Sequence, residues 1–402
     1  METKPLPATE RRNSNITADV VGARWQQIGA TAAVQERLLD SASAADMEQF
    51  RGHVENFIGT LKIPVGVAGP LRVRGRHAQG DYLVPLATTE GALVASYSRG
   101  ARLISEVGGC RALILDEAIC RSPAFAFQTL DQAVGFSSWL RTQQDVLQRV
   151  VSTTSRHARL IEIRNLIEGN HVYTDFEFLT GDAAGQNMVT LATEAMLTHI
   201  VHHAPVAPSR CFIEVNHSGD KKASARALQR VRGRRVSAEV ELPAEVVRRG
   251  LHTTAERMSE YWRVAAIGSA LSGTIGLQGH YANALTALLL ACGQDPACVA
   301  EAAIGVTRME LTATDSLYVA VTLPSLVVGT VGGATCLPSQ QACLSILGLA
   351  GPGNAAALAE ICAALCLAGE ISLVGAICAD EFAKAHRELA RNARRRGPEE
   401  AI

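Results

Sequence analysis

From residue 236 to residue 242 every second position is apolar, with Val236, Ala238, Val240 and Leu242 on one face, which predicts a half-buried strand. The same period returns over residues 171–179, where Val172, Thr174, Phe176 and Phe178 oppose Tyr173, Asp175 and Glu177. Further strands are predicted at 112–119, 158–167, 211–215 and 317–323. Helical spacing marks 23–38, the neighbourhood of Met47, a polar-faced segment at 131–151 and the run 182–203. Residues 55–73, rich in Gly and Pro, read as turns and short strands. Just beyond, Thr88 or Thr89 is placed to cap a helix with Glu90 in its first turn. The most apolar runs, 283–293 and 354–378, are broken by residues such as Glu360 and Glu370 and are predicted as buried helices rather than membrane spans.

Over 112–215 the order is β-α-β-β-α-β, the split βαβ or ferredoxin-like arrangement. The expected class is α+β: a large helix-rich domain with this small domain inserted. The expected divisions are a helical segment at 1–53, the large domain at 54–121 and 224–382, and the inserted domain at 122–212. A connecting loop at 213–223 and a terminal segment at 383–402 complete them. A length of 402 residues allows a large core, and 48% hydrophobic with 19% charged residues excludes a disordered chain. A net charge of -1 offers no general attraction to nucleic acid or an anionic membrane, so any anion site is local. Ten scattered cysteines, mostly in apolar runs, predict free thiols, and the N-terminus lacks the apolar core of a signal peptide. Both point to a cytoplasmic protein.

Two glycine-rich stretches are candidates for phosphate. Residues 181–187 (GDAAGQN) sit at a predicted strand-to-helix junction, where free N–H groups and the helix dipole favour an anion. Residues 329–335 (GTVGGAT) allow close backbone approach. Neither is the GxGxxG fingerprint, and each alone is more commonly a tight turn. Glu90, Lys221, Asp295 and His386 are the charged candidates, though each also has an ordinary use as a cap, a solvated charge or a turn residue. His199, His202 and His203 share helical spacing, but no carboxylate or cysteine pattern accompanies them and no metal site is expected.

In order, ENFIG…IPVGVAGPL, PLATTEGALVAS, GDAAGQNM, DKK, ACGQD, GTVGGAT and KAH resemble the HMG-CoA reductase family, closest to the catalytic part of its eukaryotic and archaeal class. The resemblance spans roughly 54–386. It implies NADPH-dependent reduction of an acyl thioester, HMG-CoA, to mevalonate. Glu90, Lys221, Asp295 and His386 match the catalytic positions. A lysine ammonium can stabilise the oxyanion formed by hydride attack, and a histidine suits protonation of the departing thiolate. Glu90 would protonate the final alkoxide, with a nearby Asp295 raising its pKa and also holding Lys221 charged. The inserted domain matches the family's NADPH domain: Ser155 and Arg156 at the 2′-phosphate, with Asp182, Gly185, Asn187, Gly332 and Gly333 as further cofactor contacts. Arg121, Asp220, Lys222 and Asn283 match positions at the acyl group, and Ser96, Ser98 and Arg99 lie along the CoA side. The resemblance also implies a homo-oligomer, dimer or tetramer, with its active site between subunits.

The chain departs from the family at several of these positions. Glu214 stands where a serine contacts the substrate carboxylate, Thr60 replaces an aromatic residue near the adenine, and His252 replaces a lysine at CoA phosphate. Asn392 occupies the region of a serine phosphorylated in the animal enzymes. Alternatives left open are a paralogue reducing another acyl thioester and a non-catalytic NADPH-binding paralogue.

Overall fold

The computed structural model describes residues 15–381. It opens with α1 (Ala18–Ile28), α2 (Ala32–Leu38) and α3 (Ser41–Ala45), where the sequence pattern predicts a longer single run. Gly29 ends α1 in the left-handed conformation at φ 69°, and the Thr31 hydroxyl caps α2. Ile16, Val21, Trp25 and Phe57 form a small apolar cluster of their own.

The strands β1 (Val65–Gly75) and β2 (Gln79–Ala87) make an antiparallel hairpin longer than the short strands expected there. In the next helix, α4 (Leu93–Glu106), the start falls later than predicted. Ala92 adopts φ 66° as its N-cap without a side-chain cap, while Thr88 Oγ1 accepts from the Glu90 N–H at 3.0 Å in the preceding loop. Glu90 therefore precedes the helix instead of lying in its first turn.

β3 (Cys110–Arg121) belongs to both parts of the molecule. Its body pairs in parallel with β1 and antiparallel with β8 (Gly233–Leu242), while only Ile119–Arg121 pair with β6 (His171–Leu179). Pro123 follows, and the edge resumes as β4 (Ala124–Ala126), a strand the sequence pattern did not predict. With β5 (Arg159–Glu168) and β7 (Arg210–Phe212) the small sheet has the order β7-β4-β6-β5, all neighbours antiparallel. This is the split βαβ order with β4 as its first strand in place of the expected 112–119, most of which pairs in the large sheet. It is covered by α5 (Leu130–Arg141), α6 (Gln144–Thr154) and α7 (Gln186–His203). The single helix expected at 131–151 is thus two helices. α7 starts only after Gly185, whose φ of 82° and close fit against Thr180 require glycine. Phe125, Phe136, Phe176, Phe178 and Ile200 centre this lobe's core.

The larger core surrounds the last helix. After α8 (Arg226–Gln229) and β8 come α9 (Ala244–Leu251), α10 (Ala255–Ser272), α11 (Tyr281–Ala291) and α12 (Val299–Ala302). The strands β9 (Val306–Leu311) and β10 (Leu317–Leu326) extend the sheet beyond β8, and α13 (Pro338–Ile346) leads to α14 (Ala355–Cys378). By length and composition α14 could cross a membrane, contrary to the expectation drawn from its glutamates, yet 83% of its most apolar window is buried in the fold.

Those glutamates anchor loops. Glu360, fully buried, accepts from the backbone N–H groups of Arg76, His77 and Ala78 at 3.1, 2.8 and 2.7 Å. Glu370 accepts from Gly279 and His280 N–H, both at 2.8 Å, and from the Thr307 hydroxyl at 2.7 Å. Each buried charge is matched by three donors, which keeps burial from being prohibitive. On α10, by contrast, Val264, Ile267 and Leu271 are exposed on one helical face.

Candidate active site

Lys221 lies in the loop between the two lobes with φ 55°, a left-handed conformation that a lysine adopts only when held there. Its N–H donates to Glu301 Oε1 at 3.2 Å, and its Nζ meets Asp295 Oδ2 at 2.6 Å. Asp295 is itself fixed, because its other oxygen accepts from the Ala297 N–H at 3.0 Å in the turn after α11. The hydrogen bond to Asp295 raises the Lys221 pKa above its ordinary value, with only a smaller opposing effect of burial. The ammonium therefore stays charged at neutral pH, as the sequence resemblance implies.

Beneath this pair lies a chain of buried charges. Arg232 pairs with Glu301 and, at 2.8 Å, with Asp220, and Arg121 reaches Asp220 at 3.1 Å. Burial works against the Arg232 charge, but Glu301 and Asp220 outweigh it and raise its pKa. Lys222 Nζ donates to the Asp220 carbonyl at 2.9 Å. Arg232 and Glu301 escaped the sequence reading. The available signal was a glutamate inside the apolar run 299–304, which needs a buried cation to be tolerated. The preceding strand adds a second cluster, in which Asp175 accepts from Ser122 Oγ at 2.5 Å and pairs with Arg226 at 2.5 Å and His217 at 3.0 Å.

Glu90 sits elsewhere. It lines a cleft of about 820 Å³ together with Ser96, Arg99, His280, Asn283 and Ile377. Asn283 Nδ2 donates to its carboxylate at 3.4 Å. Arg99 donates to the hydroxyl and carbonyl of Ser372 at 3.0 and 2.8 Å, and Ser96 shares that hydroxyl at 2.9 Å. Ser98, on the same helix, is half-buried outside this lining. Asn283 is near the start of α11 and Asp295 follows its end; at 1.5 Å per residue, Asn283 and Ala291 alone are about 12 Å apart along the axis. Within one chain Glu90 and Asp295 are not the adjacent pair that was expected.

The two glycine-rich stretches meet. Thr330 N–H donates to the Asp182 carbonyl at 2.9 Å, Ala183 bridges Val331, and a Cβ on Gly329 would fall 2.5 Å from the Ala184 nitrogen. The Asp182 carboxylate accepts from Gly353 N–H at 2.8 Å and Ala355 N–H at 3.2 Å, so it caps the start of α14. Gly332 and Gly333, at φ 73° and 54°, have open space where a Cβ would stand. Asn187 is exposed in the first turn of α7. At the end of α6, Ser155 Oγ accepts from His157 and Ala158 N–H, and Arg156 is exposed beside His157. A helix N-terminus, glycines with open flanks and an exposed guanidinium together suit a phosphorylated dinucleotide.

His202 and His203 turn their Nδ1 atoms to backbone carbonyls one turn back, and His199 stacks on His203 at 4.0 Å. The Thr60 hydroxyl bonds Ser43, and His252 ends α9 with its ring on Glu381 at 3.0 Å. His386 and Asn392 lie outside the described residues.

Residues 20–391 match the sequence pattern of the family described as hydroxymethylglutaryl-coenzyme A reductase. The chain is 38% identical over 395 residues to the 3-hydroxy-3-methylglutaryl-coenzyme A reductase of Methanocaldococcus jannaschii, covering 97% of this chain and 96% of that one. It is 42% identical over 347 residues to the enzyme of the same name from Pyrococcus horikoshii, covering 84% of each. In fold it is similar to the class II reductase structure of Streptococcus pneumoniae bound to NADPH, with a TM-score of 0.67 at 18% identity over 90% of this chain and 100% of that one. With full-length relatives at this identity, the chain belongs to the hydroxymethylglutaryl-coenzyme A reductase family.

Proposed function

We propose that this chain reduces HMG-CoA to mevalonate and free CoA, using two molecules of NADPH. The observation that carries the reading is the Lys221–Asp295 pair at 2.6 Å on a loop braced from below by Glu301. Bound NADPH supplies the hydride. Lys221, kept protonated by Asp295, donates to the oxygen that becomes negative as the carbonyl is attacked. Glu90, with the Asn283 amide beside it, is the acid for the final alkoxide. His386 is assigned to the departing thiolate on the sequence resemblance alone.

Cofactor contacts are assigned to Ser155, Arg156, Gly185, Asn187, Gly332 and Gly333, with the inserted lobe 122–212 as the cofactor domain. Asp182 serves by fixing the glycine turn against α14. Arg121, Asp220, Lys222 and Asn283 are assigned to the acyl group, and Ser96, Ser98 and Arg99 to the CoA side. Because Glu90 and Lys221 sit toward opposite ends of α11, we place the complete site between two copies of the chain. The exposed Val264, Ile267 and Leu271 face supports a second copy as its cover.

The test is NADPH oxidation, followed by absorbance, with purified protein and HMG-CoA, and with NADH alongside. An NADPH-selective rate that releases free CoA is the expected result. Absence of turnover with HMG-CoA, when NADPH still binds, would overturn the substrate assignment.

A further inference from the structure

Arg121 ends β3 almost fully buried, with its guanidinium turned toward the catalytic lysine loop. That guanidinium is already taken. Glu214 Oε2 lies 3.4 Å from its NH1, and the same oxygen accepts from the Ser122 N–H at 3.2 Å. The other Glu214 oxygen accepts from the Val215 N–H at 3.0 Å. Glu214 thus occupies two backbone donors and a cation with the geometry of a bound carboxylate. Its own side chain is 21% exposed, so this seat opens to solvent.

The charge balance points the same way. Arg121 and Arg232 pair with Glu214, Asp220 and Glu301, and Lys222, whose Nζ sits on the Asp220 carbonyl, supplies the third positive charge, so the cluster is formally neutral. A ligand carboxylate entering here finds no net positive charge, and it must either sit beside Glu214 or displace it from Arg121. With a neutral residue at 214 the same cluster would carry one uncompensated positive charge.

We propose that Glu214 is a specificity-determining residue: an internal carboxylate seated on Arg121 that competes with the free carboxylate of the acyl group. It weakens binding of acyl thioesters that carry a distal carboxylate and leaves uncharged ones unaffected. The proposal rests on the assignment of Arg121 to the acyl pocket. It does not require turnover.

Binding of HMG-CoA and of butyryl-CoA, whose acyl chain is uncharged, is measured by titration calorimetry on the full chain and on its Glu214→Ser and Glu214→Gln variants. HMG-CoA should bind roughly tenfold more tightly to both variants, the size of losing one charged competitor, while butyryl-CoA binds all three proteins alike. Unchanged or weaker HMG-CoA binding overturns the proposal, as does an equal shift for both thioesters or no binding by any of the proteins. If the unaltered protein binds HMG-CoA and fails to oxidise NADPH, the proposed function fails and this comparison still stands. Matching thermal unfolding of the two variants guards against a folding defect, and Glu214→Asp, which keeps the charge, should return the selectivity toward that of the unaltered protein.

Discussion

Glu360 and Glu370 offer two perturbations with the same chemistry and different functional reach. Each buried carboxylate receives three hydrogen bonds, and ten residues of helix separate them, about 15 Å along the axis. Replacing Glu360 by alanine leaves the Arg76, His77 and Ala78 N–H groups without their acceptor. An orphaned buried donor costs about 1–3 kcal/mol. Water reaching the hairpin turn recovers part of this, for a net loss of about 3–5 kcal/mol. With an unfolding entropy of roughly 2 cal/mol/K per residue, such a loss lowers the melting temperature by about 4–6 °C for a chain of this length. Glu370→Ala removes the same number of bonds and should cost a similar amount. Only Glu370, however, holds Gly279 and His280, which line the Glu90 cleft, and the His280 carbonyl accepts from the Asn283 N–H in the turn that opens α11. Calorimetry combined with steady-state kinetics separates the two. Both variants should melt earlier, and only Glu370→Ala should raise KM for HMG-CoA, by roughly tenfold. Equal KM changes in both, or melting temperatures unmoved in both, would refute the anchoring account.

Four further outcomes are expected. Lys221→Ala should abolish thioester reduction, and Asp295→Asn should lower kcat by roughly 100-fold while leaving NADPH binding intact, read by turnover and by fluorescence titration. Arg156→Ala should raise KM for NADPH about tenfold and leave the weaker NADH reaction unchanged, because its exposed guanidinium, held only by His157 through Nε, can turn its two terminal nitrogens to a 2′-phosphate. Burial alone would raise the Asp175 pKa, but His217, Ser122 and Arg226 together hold it below its usual value of 3.8. Its stabilising contribution is therefore complete above pH 3.8 and is lost as pH falls through the lowered value. Asp175→Asn should flatten acid unfolding in that range, measured by circular dichroism.

Much of the small lobe was legible because its signals are local. The alternation over 171–179 and the apolar period of α7 survive in the structure as β6 and α7, with Val172, Phe176 and Phe178 fully buried. What failed to show were boundaries set by tertiary fit. Thr88 looks like a helix cap and instead closes a loop turn on Glu90, because Ala92 takes the left-handed N-cap position. The three residues of β4 are too few to carry a period. In the site, Lys221 and Asp295 were brought together as the motifs implied. Glu90 was not: it lies by Asn283 near the start of α11, while Asp295 follows its end. Glu301 carried a signal, a glutamate within an apolar run, but nothing in the sequence marks Arg232, 69 residues away, as its partner. Glu214 was legible as a departure but not in its effect: its partners, Ser122 and Arg121, are 92 and 93 residues away.

The strand β3 serves one sheet along most of its length and the other with its last three residues. A lobe tethered by flexible linkers could swing open, or be excised and still fold. Here, cutting at residue 122 would strip β6 of part of its neighbour, and rotating the lobe would have to twist a shared ribbon of backbone. Arg121 stands at the joint, so movement of one lobe against the other is felt directly by its guanidinium and by the loop that carries Lys221. Opening of this enzyme should therefore proceed by elastic twisting of a common sheet, and its two lobes should melt as one cooperative unit.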